Sequence, residues 1–119
     1  MIKGGCTFWA RQTFDSDIFY NKPDKWFKIW FFIVSRVNYK DNSTFKRGEN
    51  LVTYYEIIER TKATKDQIYK AIKYFKTERM IDANKTTRGF IIKVLNYGIY
   101  QDIENYQDDS KTTARRYYN

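Results

Sequence analysis

Apolar positions recur along this chain at changing intervals, and each interval predicts an element. In residues 8–20, FWARQTFDSDIFY, the side chains Phe8, Trp9, Phe14, Ile18 and Phe19 are spaced as packing positions of a short first helix. NKPD at 21–24 is a turn that leads into a second helix over 24–37, with Pro23 suited to the first helical turn. Its main stripe is Trp26, Trp30, Ile33, Val34 and Val37, while Phe27, Ile29, Phe31 and Phe32 make the remaining sides apolar too. A helix apolar almost all round is buried centrally or shared with a second subunit. This helix is therefore also the candidate surface for a homodimer.

The polar stretch YKDNSTFKRGEN at 39–50 predicts a loop, with a short strand near Phe45–Arg47 and a turn at Gly48. LVTYYEIIERT at 51–61 predicts a helix capped by Thr53 and carrying Tyr54, Ile57 and Ile58. After the short break KAT, Thr64 can cap another helix over 65–78, in which Ile68, Ile72 and Phe75 face inward with Ala71 at their margin. Two capped helices so closely spaced form the skeleton of a helix-turn-helix, with Ala63 or a neighbour standing where a glycine is often found. MIDANK at 80–85 and FIIKVLNY at 90–97 then predict two strands joined through TTRG at 86–89, with Gly89 available for a positive φ. The order is that of a winged helix-turn-helix. The expected fold class is α+β, mainly helical, with its domain over 1–101 and a polar, flexible tail over 102–119. That tail ends on the basic and aromatic run Arg115-Arg116-Tyr117-Tyr118.

Charge sharpens this outline. The chain of 119 residues carries a formal charge of +8, and residues 61–93 supply +6 of it, with nine basic side chains against three acidic ones. Concentrated positive charge favours an anionic partner. Opposite the inward face of helix 65–78 lie Asp66, Tyr69, Lys70, Lys73 and Thr77, flanked by Gln67 and Tyr74 on one edge and Lys65 and Lys76 on the other. The first half of such a helix reads base edges in the major groove, and Lys65, Gln67, Tyr69 and Lys70 suit that task. Lys73 and Lys76 suit phosphate contacts, and Thr64 can offer its hydroxyl and nearby N–H groups to a phosphate. Lys85, Thr86, Thr87 and Arg88 give the hairpin tip a second basic element, able to follow the backbone or enter the minor groove. RNA fits less well, because the tyrosines fall on helices and not along a sheet of stacking platforms.

Other classes lose ground on composition. The chain has one cysteine, Cys6, and no histidine, so neither an internal disulfide nor a zinc site is expected. The pairs Asp15/Asp17 and Asp108/Asp109 suit capping and solvated tail charge better than paired catalysis, and Cys6 has Lys3 nearby but no base. No phosphate-binding glycine loop is present; an enzyme is not expected, nor any cofactor or metal. The nine-residue run WFKIWFFIV at 26–34 contains Lys28 and is too short to span a membrane, which needs about twenty apolar residues. MIKGGCTFWARQ shows no leader pattern, so a cytoplasmic location is expected.

From Phe14 to Gln101 the chain resembles the N-terminal winged-helix domain of phage replisome organiser proteins, the DnaD-like replication initiation family. The likeness rests on FDSDIFYNKPDKWFKIWFFIVSRVNYKD at 14–41, FKRGENLVT at 45–53, the helix-turn-helix, and TTRGFIIKVLNYGIYQ at 86–101. It implies duplex DNA binding near an origin or single strand, self-association, and recruitment of a replication protein such as a helicase loader. By position it implies Lys65, Gln67, Tyr69, Lys70 and Lys73 as helix contacts, and Lys85 and Arg88 as wing contacts. Two other roles fit the same basic face: a transcriptional regulator of a mobile element, and a protein-interaction or inhibitor module that meets an acidic protein surface.

Overall fold

The computed structural model describes residues 3–105, an α+β arrangement that is about half helical. Its elements are a 3-10 turn (Arg11–Asp15), α1 (Asp17–Tyr20), α2 (Asp24–Arg36), β1 (Glu49–Thr53), α3 (Tyr54–Thr61), α4 (Lys65–Thr77), β2 (Ile81–Lys85), β3 (Gly89–Val94) and α5 (Gly98–Gln101), followed by a 3-10 turn at Ile103–Asn105. The strands form one antiparallel sheet in the order β1-β3-β2.

The expected first helix over 8–20 is broken in two. Ser16 is extended (φ −74°, ψ 151°) and its hydroxyl donates to the Thr13 carbonyl at 2.6 Å, which ends the first turn and starts α1. Phe8 is drawn out of any helix because its N–H donates to the Tyr100 carbonyl at 2.8 Å. Of the expected packing residues Ile18 is buried, whereas Phe14 is 64% exposed.

In α2 the expected stripe holds at Trp30, Ile33, Val34 and Val37, with Ile29 added to it and Trp26 at its margin. Ile29, Trp30, Ile33 and Val34 are buried, and Ile29 is fully so, while Trp26 is half-buried with its ring 5.3 Å from that of Tyr74. Most of the helix's apolar surface is thus used inside the domain, against α3, α4 and β1. Phe31 remains 47% exposed and stacks on Trp9 at 5.3 Å.

The strand expected near Phe45–Arg47 is absent. Asn42 Oδ1 accepts from the N–H groups of Thr44 (2.9 Å) and Phe45 (2.7 Å), and Asp41 Oδ1 accepts from that of Arg47 (2.7 Å). These side chains turn the backbone before it can extend. Gly48, at φ +82° and facing Tyr97 where a Cβ would sit, releases the chain into β1. Thr53 then ends the strand and caps α3, its Oγ1 accepting from Glu56 N–H at 3.1 Å.

Alternation in β3 is as its sequence suggests: Phe90, Ile92 and Val94 point to the core, while Ile91 and Lys93 face outward. Register sets Val52 opposite Phe90, Ala83 opposite Ile92 and Ile81 opposite Val94, so all three strands bury one continuous face. The strand stops at Val94, not at Tyr97, since Leu95 N–H turns to the Met80 carbonyl and Asn96 adopts φ +56°. Gly89 does not use a positive φ. A Cβ there would overlap the Val52 carbonyl oxygen and come within 2.6 Å of Thr53 Cα, so glycine serves close strand approach.

Beyond β3, Tyr97 is buried and carries the Arg47 guanidinium over its ring, and Arg47 pairs with Asp102 at 2.8 Å. Tyr100 sets its ring edge-on to Trp9 at 5.0 Å. Residues 106–119 of the expected tail, with Arg115-Arg116-Tyr117-Tyr118, lie outside the described residues. Among the described residues no helix is long and apolar enough to cross a membrane.

Two tyrosines give the fold an alkaline limit. Tyr74 donates to Asp17 at 3.0 Å and clips α4 to α1; burial first, then this bond, push its hydroxyl up to about 12. Tyr54 is pushed to about 12 by burial and its bond to Tyr69. Both groups therefore keep their protons longer in the folded chain, and their stabilisation is intact below pH about 10 and lost as pH rises through about 12. Urea midpoints of the wild type and a Tyr54→Phe/Tyr74→Phe variant should converge across that window. A constant difference would show that neither hydroxyl is held as described.

Candidate nucleic-acid interface

The turn between α3 and α4 manages without glycine. Lys62 takes the left-handed conformation (φ 61°, ψ 21°), which costs roughly 1–2 kcal/mol for a side chain of this kind. Several bonds offset that cost. Lys62 N–H reaches the Ile58 carbonyl at 2.8 Å, the buried Thr61 hydroxyl donates to Ile57 and accepts from Ala63 N–H, and Lys25 Nζ donates to the Thr61 carbonyl at 2.6 Å. Ala63 itself is buried in the turn.

Helix α4 begins with a reciprocal cap. Thr64 Oγ1 accepts from Gln67 N–H at 3.2 Å, and Gln67 Oε1 accepts from Thr64 N–H at 2.8 Å. Gln67 is thereby tied to the helix end, and a two-bond contact to adenine would require it to let go. The cap signature T-x-x-Q at 64–67 is present in the sequence, and it identifies Gln67 as a structural residue first.

Ile68, Ala71, Ile72 and Phe75 are buried, Ala71 as completely as Ile68. Each large side chain among them contributes about 1.5–3 kcal/mol on burial, which fixes how α4 is turned. Lys65, Tyr69, Lys70, Lys73 and Lys76 consequently point outward. Lys70 pairs with Asp66 at 3.1 Å, both well exposed, a contact worth about 0.3–0.5 kcal/mol that scarcely holds the lysine. Among the described residues no carboxylate pairs with Lys65, Lys73, Lys76, Lys85 or Arg88.

The β2–β3 hairpin comes alongside the start of α4. Thr86 N–H donates to the Gly89 carbonyl at 2.7 Å, and Gly89 N–H donates to Thr86 Oγ1 at 3.1 Å, leaving Thr87 and Arg88 exposed at the tip. The Arg88 carbonyl accepts from Tyr54 N–H at 3.0 Å, which ties the tip to the first turn of α3. Lys85 Nζ sits 4.9 Å from the centre of the Tyr69 ring, and Lys65 Nζ 5.3 Å from that of Tyr54. The two tyrosine hydroxyls meet at 2.8 Å.

No protein-family model, curated protein or solved structure matches this chain. Its site is therefore read from its own geometry.

That geometry joins three of the sequence-predicted residues, Lys65, Tyr69 and Lys85, into one cluster, and sets Lys70, Lys73 and Lys76 along the outer side of α4. Thr87 and Arg88 stand exposed at the hairpin tip. Tyr69 is less available for base contacts than its spacing suggests, because its ring lies against Lys85 and its hydroxyl against Tyr54. Its hydroxyl is held below the usual tyrosine range by the hydrogen bond it shares with Tyr54, then by Lys85. Tyr54 was not among the expected contacts. Its position just after the Thr53 cap marks it as a packing residue, and only the tertiary fold brings it to Tyr69.

A surface recess of about 610 Å³ is lined by Arg47, Arg79 and Lys93. Arg47 is paired with Asp102, and Lys93 lies in register between Glu49 and Asp82. Among the described residues no three His, Cys, Asp or Glu side chains cluster to hold a metal ion.

Proposed function

We propose that this chain is a winged-helix protein that binds duplex DNA, with α4 as the helix in the major groove and the β2–β3 hairpin as the wing. The observation that carries the reading is a set of cations, Lys65, Lys73, Lys76, Lys85 and Arg88, on α4 and the adjoining hairpin that pair with no carboxylate among the described residues. A solvated lysine face needs no second element beside it; a groove-binding surface does. Resemblance to replisome organiser proteins supports a role in initiating phage or mobile-element replication, with a helicase loader as a further partner. Exposed Phe31 and Phe14 support self-association on the side that carries α1 and α2.

The test is a titration of labelled random-sequence duplex at 50 and 200 mM salt. Affinity should fall steeply with salt, by about 0.9 log–log unit per neutralised phosphate, and the stoichiometry reads whether copies bind in pairs. A Lys70→Ala/Lys73→Ala variant should bind more weakly and with a shallower slope. Negligible wild-type affinity at low salt would reject DNA in favour of an acidic protein partner. Mapping of bound genomic sites then separates replication, with sites inside an origin, from transcription, with sites at promoters.

A further inference from the structure

Lys65 is the first residue of α4 and Lys85 the last of β2, yet their ammonium groups are held over one pair of touching tyrosines. The Tyr54 and Tyr69 rings lie 5.8 Å apart, and both set their edges against Phe90, at 5.2 and 6.1 Å. This three-ring block fixes where the two lysines end. The nearest acid in sequence, Asp66, is engaged by Lys70. Among the described residues neither ammonium pairs with a carboxylate, and a single anion between them would relieve their mutual repulsion.

Donors remain for such an anion. A ring face takes one side of each ammonium and leaves its other N–H bonds outward. Tyr54, only 9% exposed, has Tyr69 as its hydroxyl partner, and either hydroxyl can be the donor. When Tyr54 donates, the Tyr69 O–H is released for an anion. Lys85 Nζ over the Tyr69 ring and Lys65 Nζ over the ring of its partner Tyr54 set the two ammonium groups about this hydroxyl pair.

We propose that Lys65, Tyr69 and Lys85 form a single phosphate subsite in which one backbone phosphodiester bridges α4 and the hairpin, with Tyr54 as a positioning residue beneath it. This rests on the duplex-binding reading and adds that Tyr69 serves as a phosphate ligand and not as a base reader. One phosphate shared by two lysines has a consequence that two independent contacts lack: the effects of removing them are not additive.

The experiment measures affinity for a labelled duplex against salt for the wild type, Lys65→Gln, Lys85→Gln, the double variant and Tyr69→Phe, each checked for unchanged folding by circular dichroism. The double variant should lower the log–log salt slope by about 0.9, one phosphate, and its affinity loss should depart from the product of the two single losses. Tyr69→Phe should weaken binding about five-fold at an unchanged slope, since a neutral donor is lost. A slope loss of about 1.8 with multiplicative single effects, or no change in slope at all, overturns the shared subsite. So does an unaltered Tyr69→Phe affinity. A wild type that fails to bind duplex at low salt removes the duplex reading itself and the subsite with it, a result distinct from both.

Discussion

Gly89→Ala should lower stability by about 3 kcal/mol and the unfolding temperature by more than about 10 °C. The added methyl would overlap the carbonyl oxygen of Val52 and press on Thr53 Cα, both backbone atoms of β1. Neither can yield as the end of a flexible side chain could. At this point β1 passes into α3, and Tyr54 N–H bonds the Arg88 carbonyl beside it. Moving β1 aside would break pairing at the Thr53–Gly89 end of the ladder and draw Tyr54 away from Tyr69. Gly98→Ala is the control. Its methyl would meet only the side-chain ends of Asp102 and Asn105, at the first residue of the short α5, where no backbone atom blocks it. Thermal unfolding of the two variants reads the contrast. If Gly89→Ala melts with the wild type, β1 does not lie against β3 in the described register.

The same residue marks where sequence reading reaches its limit. Features set by near neighbours were legible: the caps at Thr53 and Thr64, the inward spacing of Ile68, Ile72 and Phe75, and the alternation of Phe90, Ile92 and Val94. Each depends on a side chain and the few residues beside it. Elements that depend on distant partners were misplaced. β1 is a strand because Asn50 to Thr53 pair with β3 some forty residues later, while the stretch just before it is turned by Asn42 and Asp41. The first helix failed partly for this reason, since the Phe8 bond to Tyr100 joins opposite ends of the described chain, and partly through the local break at Ser16. At the candidate site the outward lysines of α4 were legible from periodicity alone. The T-x-x-Q spacing carried the cap at Gln67 as well, yet Gln67 was expected as a base contact. The meeting of Tyr54, Tyr69 and Lys85 was not legible, because nothing local relates residues on α3, α4 and β2.

Binding and stability should move in opposite directions when the outer cations are neutralised. Lys73 and Lys76 are neighbours on one turn of α4, exposed, and without carboxylate partners among the described residues. Like charges at that spacing destabilise a helix by about 0.2–0.5 kcal/mol, so replacing them with glutamine should leave stability unchanged or raise it slightly. Arg88 gives its carbonyl to the fold, and a side-chain change there keeps that bond. A Lys73→Gln/Lys76→Gln/Arg88→Gln variant therefore retains its core and loses three phosphate contacts under the proposed function. Its salt slope should fall by about 2.7, so that a four-fold rise in salt weakens the wild type about forty times more than the variant. At 50 mM salt the affinity loss itself should reach about two to three orders of magnitude. Thermal unfolding and duplex titration on one preparation read both quantities. An ordinary solvated face would show the stability change and leave the binding curves superimposed, and that result would return these lysines to the role of surface charge.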